Sequence, residues 1–597
     1  MCIKSRKTED RRPKSEDGSM ENRAFNIKQI AMSESINWSE LSELEKIKYD
    51  SNYLRGTLVE SLADPITGSI AFADTQISKF HGMYQQFDRD LEKERKRQKL
   101  EPAFSFLIRV RIPGGVVSPS QWLKMDEISE KYANHTLKLT TRQTFQLHGV
   151  IKTNLKKTIQ AMNDSLMDTI AACGDVNRNV MCHPNPAESP LHAEMYDTAR
   201  RISEHLLPST TAYHEIWLDK KLIADSKKDV EPIYGDRYLP RKFKIAVVLP
   251  PYNDSDVFSQ DLGFIAIVEN GKIVGYNVTV GGGLGSTFGI PEAYPRLADV
   301  IGFCLPEQVL EVSEKVLLVQ KDNGNRQNRK LSRMKYTIDN HGLDWFKKEV
   351  EKYLGYEFQE AKPYAFTRNG DRLGWKRGTD SKWNLTLFIE GGRVADKGEY
   401  KMKSALREVA QTIAGQFILT GNQNVIIANV TSEEKKKISL ILKENGVLPG
   451  EISGLRQNSI ACVALNTCGL AFAEAERYLP SLVTKIETIL DQHGLLKEEI
   501  VIRMTGCPNG CGRPYLAEIG FVGKSEGHYN LYLGGNFIGT RLNTLYKETL
   551  TEDEILAELQ PIIADYAANR TEGEKLGDFV IRKQYVKETL KGSDFRH

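Results

Sequence analysis

No stretch of the chain stays apolar for the roughly 18 residues that a membrane-crossing helix requires, so no contact with a membrane is expected. Neither sign of charge dominates: 81 Lys and Arg stand against 79 Asp and Glu, a net charge of +2. That balance excludes a global pull towards nucleic acid, and any charged ligand must be recognised locally. Cysteine is sparse, 8 in 597 residues, too few for a disulfide scaffold of this size. The opening "MCIKSRKTEDRRPKSEDGSM" lacks the apolar centre of a secretory signal. It reads as a disordered tail over 1–37, with Met20 or Met32 as alternative starts, and a cytoplasmic protein is expected. What remains is ordinary globular composition, 40% apolar and 27% charged, in a chain too long for one core.

Hydrophobic patterning divides the chain into repeating units. Residues 38–62 read as a helix followed by an extended segment, and 87–102 as a charged helix ending near Pro102. "FSFLIRVRIPGGVV" alternates like a strand and stops at a Pro-Gly-Gly turn. A helix "SQWLKMDEISEKY", a strand "HTLKLTTRQTFQLHGV" and a helix "LKKTIQAMNDSL" follow. The same order returns in "WNLTLFIEGGRV", "KSALREVAQTIAG", "FILTGNQNVIIANV" and "SEEKKKISLILKENG". Registering 138–150 on 418–430 matches Leu139 with Leu419, Thr140 with Thr420, Gln143 with Gln423 and Val150 with Val430. A second echo pairs "YNVTVGGGLG" (276–285) with "YNLYLGGNFIG" (529–539). Two echoes in the same order point to an internal duplication. Duplicated halves leave a cleft along their seam, a natural seat for a large ligand.

Half of the cysteines lie in the last third. Cys462 and Cys468 are separated by five residues in "IACVALNTCGLAF", and Cys507 and Cys511 by three in "MTGCPNGCGRP". Zinc knuckles normally use shorter spacings. Two longer loops suit four thiolates around a cubane iron–sulfur cluster, with structural zinc as the alternative. Gly506, Gly510 and Gly512 let the backbone approach such a cluster, and Pro508 and Pro514 stiffen the loop. Cys2, Cys173, Cys182 and Cys304 have no matched spacing and read as ordinary thiols.

The blocks "SNYLRGTL", "KFHGMYQQFDRD", "RIPGGV", "TTRQTFQLHG", "NRNVMC", "YLPRKFK", "VGGGLG", "GNRQNRKL" and "TGCPNGCGRPYLAEIGFVGK", in this order, resemble the sulfite/nitrite reductase sirohaem family across about residues 40–590. The resemblance implies an α+β fold with two ferredoxin-like half-domains and two larger α+β domains around a central sirohaem cleft. It implies a partner-contacting extension (38–100), a first half-domain (101–170) and a first larger domain on the substrate and sirohaem side (171–345). A second half-domain (346–445) and a second larger domain carrying one 4Fe–4S cluster (446–597) complete it. Cys462, Cys468, Cys507 and Cys511 would be the cluster ligands, and Cys511 would also bind the sirohaem iron axially.

The implied activity is six-electron reduction of sulfite to sulfide, in assimilatory sulfur metabolism leading to cysteine. The rival readings are a ferredoxin-dependent sulfite or nitrite reductase and, outside the enzymes, a zinc-stabilised binding module. Arg109 and Arg111 share a strand face by the period of two, as do Lys242 and Lys244. The resemblance assigns substrate binding and proton supply to Arg109, Arg178, Lys242 and Lys244, leaving Arg111 a supporting role. It assigns Arg142, Gln146, Lys330, Arg333, Lys335 and Asn509 to the sirohaem and its carboxylates. Lys138 stands where the family often has Arg, which supplies charge without a bidentate fork. "GGGLG" at 281–285 lacks dinucleotide-loop spacing and reads as a turn near the sirohaem. His148 and His183 read as hydrogen-bonded structural histidines. No flavin or NADPH segment is recognisable, so a separate donor is expected. "KIKYDSNYLRGTL" is similar to NADPH-linked members, whose donor is a flavoprotein (alpha) subunit carrying FAD and FMN.

Overall fold

The computed structural model describes residues 36–210, 212, 231–447 and 452–596. The tail expected over 1–37 lies outside the described residues except for its last two positions. Four five-stranded sheets make up the frame, with helices packed on them.

The first sheet runs in the order Met83–Phe87, Phe104–Arg109, Phe145–Val150, Leu137–Leu139, Arg393–Val394. Its counterpart runs Gly374–Arg377, Trp383–Leu387, Val425–Val430, Gln416–Leu419, Val116–Val117. Each sheet thus takes its last strand from the other half of the chain. Arg393 pairs with Lys138 in one sheet, and Ile418 with Val116 in the other. Glycine permits the exchange. A Cβ on Gly115 would lie 2.3 Å from the Leu419 carbonyl oxygen, and one on Gly392 2.4 Å from that of Leu139.

The stretch read as one strand over 135–150 is a hairpin. Gln143 turns the chain at φ 52°, as Gln423 does at φ 70° in the second half. Residues 38–62 are also not helix then extended chain. A helix Glu43–Asp50 is followed by left-handed Asn52, Tyr53 and Leu54 and a second helix, Leu58–Ala63. The charged helix expected over 87–102 is confined to Glu92–Arg97.

The larger domains repeat a second topology. In the first, Met181–Cys182, Ile245–Val248 and Leu262–Glu269 are parallel, and Lys272–Val280 and Asp299–Cys304 add antiparallel. In the second, Ser459–Ala461, Ile502–Thr505 and Ile519–Ser525 are parallel, and His528–Leu533 and Thr544–Leu550 close the sheet. The Tyr-Asn echo falls on the fourth strand of each sheet, followed by Gly281 and Gly534, both at φ 91°.

Two features bear on domain limits. Met83–Phe87, within the 38–100 segment, is an edge strand of the first half-domain's sheet. Position 345/346 falls inside the helix Leu343–Leu354. One apolar core joins both half-domains to the first larger domain, with Trp122 stacked on Phe417 across the seam at 4.5 Å between ring centroids. The second larger domain has its own core.

Candidate cofactor and anion site

Two adjacent parallel strands bring the four cysteines together. Ser459–Ala461 and Ile502–Thr505 end side by side, and their carboxyl ends release the loops bearing Cys462 and Cys507 in the same direction. The Cys462 N–H donates to the Met504 carbonyl at 3.2 Å, and the Phe472 N–H to that of Gly506 at 2.7 Å, stitching loop to loop.

N–H and O–H groups surround the sulfurs. Cys462 Sγ accepts from Thr505 Oγ1 and from the Gly506 N–H, both at 3.3 Å. The backbone N–H groups of Leu470 and Ala471 point at Cys468, and that of Asn509 at Cys507. Burial pushes the Cys462, Cys468 and Cys507 thiols up, and the neighbouring Cys511 pushes them further. Thiolates therefore persist here only beside positive charge. Four sulfurs on one cavity, three of them with donors already aimed at them, fit an iron–sulfur cluster.

Both loops open into a cavity of about 1020 Å³, its mouth included. Arg109, Arg142, Arg178, Lys242 and Lys244 line it together with Cys462, Cys468, Cys507 and Cys511. A second pocket of about 400 Å³ shares Arg142, Lys242, Lys244, Asn509 and Cys511, so the two spaces adjoin. Among the described residues, none of these five cations pairs with a carboxylate. Burial lowers Lys242 to about 7, with Arg241 adding to the shift. Burial and then Lys242 hold Lys244 well below its ordinary value. Burial also lowers Arg142, to about 9, and Arg178. Half-buried cations without a carboxylate partner are costly, and this cavity suits a polyanionic group such as a carboxylate-rich macrocycle.

The remaining sequence-predicted residues divide by position. Gln146 lies opposite Arg109 in the sheet, and with its amide oxygen turned inward it accepts from Arg109 Nε at 2.8 Å. Asn509 lines both spaces. Arg333 lines the smaller one, but its guanidinium is bound by Asp261 at 2.8 Å. Lys335 is buried and donates to the carbonyls of Gly283 (3.0 Å), Gly285 (2.7 Å) and Tyr294, bracing the 281–285 turn. Leu284 and Gly285 of that turn line the smaller space. Lys330 is exposed and lines neither space, so the structure does not bring it to the site. Arg111 pairs with Asp168 at 2.7 Å. Buried Lys138 donates to Glu476 at 2.7 Å and to the Gly391 carbonyl, tying the halves together. His148 lines the main cavity, with Nδ1 3.4 Å from Thr467 Oγ1 in the cysteine loop, and His183 pairs with Asp254 at 2.5 Å.

Two supporting residues escape sequence reasoning. Arg89, from the N-terminal segment, donates to the carbonyls of Cys468 at 3.3 Å and Ala471 at 2.5 Å. Arg513 sits left-handed at φ 57° directly after the second cysteine loop. It reaches Thr141 O at 3.2 Å and Asn422 Oδ1 at 2.9 Å. Thr141 in turn donates to the Cys511 carbonyl at 3.1 Å. Neither arginine has a sequence signal beyond its place in the quoted blocks.

A duplicated α+β frame that presents four thiols to a cationic cleft is the architecture of a redox enzyme acting on a small anion. The chain belongs to the nitrite/sulfite reductase family: the ferredoxin-like half domain of that family matches residues 98–165 and 376–445, and the nitrite and sulphite reductase 4Fe-4S domain matches 197–358. The latter match covers the first larger domain, whose only cysteine in that range is Cys304. More particularly, the chain is similar to proteins named sulfite reductase (NADPH) hemoprotein beta-component. That of Shouchella clausii is 58% identical over 557 residues, 93% of this chain and 97% of the relative. That of Anoxybacillus flavithermus is 59% identical over 556 residues, 93% and 97%. That of Staphylococcus haemolyticus is 57% identical over 565 residues, 94% and 98%. Among solved structures, the NirA protein of Mycobacterium tuberculosis matches with a TM-score of 0.73 at 25% identity, over 91% of this chain and 96% of that one.

Proposed function

We propose that the chain is the haemoprotein component of an assimilatory sulfite reductase, taking sulfite to sulfide with six electrons on the way to cysteine. The observation that carries this reading is the meeting at one cavity of four thiols and five cations that pair with no carboxylate among the described residues. The similarity to sulfite reductase hemoprotein beta-components supports it.

Sirohaem and a 4Fe–4S cluster, when bound, would relay electrons from the donor and offer the iron at which the anion is reduced. Cys462, Cys468, Cys507 and Cys511 would hold the cluster. Cys511, the exposed member of the four, would also serve the haem iron. Arg142 and Asn509 would face the macrocycle, while Arg333 and Lys335 would shape its bed through Asp261 and the 281–285 turn. Arg109 and Arg178 bind the oxyanion, and Gln146 fixes the plane of Arg109. Each oxygen of the anion leaves as water, so protons must arrive in step with electrons. Burial lowers the pKa of Lys242 in the cofactor-free protein, which makes its ammonium a readier proton donor than an ordinary lysine. An anion beside Lys244 raises its pKa and returns it to the charged form.

The electron donor is a separate flavoprotein (alpha) subunit reached by NADPH, and the site of action is the cytoplasm. No described helix is long and apolar enough to cross a membrane. The test is the absorption spectrum of the purified protein with iron and acid-labile sulfide analysis, followed by turnover of sulfite and nitrite with a chemical reductant. Haem and cluster bands with sulfide production are expected. A colourless zinc protein, or turnover of nitrite alone, overturns the reading. Recovery of ferredoxin rather than a flavoprotein in a pull-down overturns the donor assignment.

A further inference from the structure

The duplication gives the cysteine site a counterpart in the first half, and that counterpart carries imidazole and carboxylate side chains instead of thiols. His183 follows the strand Met181–Cys182 as Cys462 follows Ser459–Ala461. The His183 N–H donates to Val247 O at 3.0 Å, as that of Cys462 does to Met504 O at 3.2 Å. Asp254 lies two residues before left-handed Asp256 (φ 46°), as Cys511 lies two before left-handed Arg513 (φ 57°). Each left-handed residue opens a short 3₁₀ turn, Val257–Ser259 or Pro514–Leu516. Glu188 is five residues beyond His183, close to the Cys462–Cys468 spacing. The position of Cys507 is taken by Pro250.

His183, Glu188 and His192 each offer a ligand atom, and these atoms all lie within 4.8 Å of one another. The two imidazole rings are 4.5 Å apart between centroids. His192 comes from the first turn of the helix Pro190–His205, with Nδ1 2.6 Å from Ser189 Oγ. Its Nε2 is buried and has no partner among the described residues, and neither has Asp254 Oδ1. Residue exposures are 3% for His183, 8% for His192 and 4% for Asp254, so these are desolvated groups. Unpaired polar atoms at such depth are costly. Asp254 Oδ2 is 2.5 Å from His183 Nδ1, which leaves the other ring nitrogen for coordination in the carboxylate–histidine manner of zinc sites. Arg372 binds Glu188 through Oε1, so Oε2 remains for an ion.

We propose that His183, Glu188 and His192 hold one divalent transition-metal ion, zinc by the character of its ligands, with Asp254 orienting His183. Two imidazoles and a carboxylate suit zinc, and the absence of any thiol from the set rules out an iron–sulfur cluster. The ion joins the loop after Met181–Cys182 to the helix Pro190–His205. Through Asp254 it also braces the segment leading to Asp256.

The test measures zinc and iron together in the holoenzyme after dialysis against a weak chelator and readdition of zinc. One zinc per chain is expected, retained in Cys462→Ser even where iron is lost, and lost in His192→Ala and Glu188→Gln with iron unchanged. Addition of zinc should raise the melting temperature of the wild type but not of Glu188→Gln, a change at a half-buried position that keeps the bond to Arg372. Cobalt in place of zinc should give a visible four-coordinate spectrum. No zinc above background in the wild type, or unchanged zinc in both variants, overturns the proposal. Zinc that disappears only with Cys462→Ser also overturns it. None of these outcomes depends on sulfite turnover, so failure here is distinct from failure of the functional reading.

Discussion

Asp256 and Arg513 occupy equivalent positions in the two halves, each left-handed at the head of a 3₁₀ turn, and they pair with each other at 2.7 Å. Asp256 also binds Arg503 at 2.7 Å and is itself fully buried. The pseudo-two-fold axis thus runs close to an ion pair between residues that the duplication began as copies. Arg513 follows the second cysteine loop directly, so this pair anchors the loop that presents Cys511.

Asp256→Asn should be the most destabilising single change near the site. It leaves two buried guanidinium groups short of one carboxylate, and losing one partner of a buried pair costs about 3–5 kcal/mol. Urea unfolding of the cofactor-free protein should show that loss. A midpoint equal to wild type would remove the pair from any anchoring role.

Cys511→Ser should leave the fold intact, by circular dichroism, and abolish the haem band or shift it. Cys462→Ser should cost iron and acid-labile sulfide together. Normal spectra in both variants would contradict a shared four-thiol site.

Lys244→Ala should keep both cofactor bands while slowing sulfite turnover by about 10²–10⁴, the range for a positioned proton donor. Full activity would remove Lys244 from proton delivery. Arg109→Lys should act mainly on KM, since a lysine keeps the charge but loses the fork held by Gln146.

Stability of the cofactor-free protein should rise with pH above neutrality. Lys242 titrates at about 7 when folded and near 10.5 when unfolded. Between those values the unfolded chain binds a proton that the folded chain lacks, so raising the pH favours folding. Below about 7 both forms are charged and the full cost of the buried ammonium persists. Lys242→Met should therefore stabilise the protein at pH 6 to 7 and flatten the rise, as read from urea midpoints from about pH 6 to about pH 10.

Arg89→Ala should weaken retention of the cluster without touching its ligands. Its guanidinium holds the Cys468 and Ala471 carbonyls, so its loss frees that loop. Faster loss of cluster absorbance on exposure to chelator is the readout.

The sequence made some of this legible because the signals were local. Cysteine spacing, Gly-Gly turns and the Leu-Thr-Gln register are each written within a dozen residues, and the structure puts Gln143 and Gln423 in matching turns. Long-range choices were not legible. Lys330 and Lys335 stand five residues apart in one basic stretch, yet one points to solvent and the other is consumed by three carbonyls. Charge alone does not distinguish them. His183 read as structural because its partners, Asp254 and His192, arrive from other segments. The swapped strands Val116–Val117 and Arg393–Val394 are two residues each, too short for periodicity to register.

Those two short strands have a mechanical consequence. Because each half lends a two-residue strand to the edge of the other's sheet, the halves are clasped at two places rather than hinged at one. A backbone cut in the connecting stretch near residue 365 should therefore leave two fragments that stay together through purification.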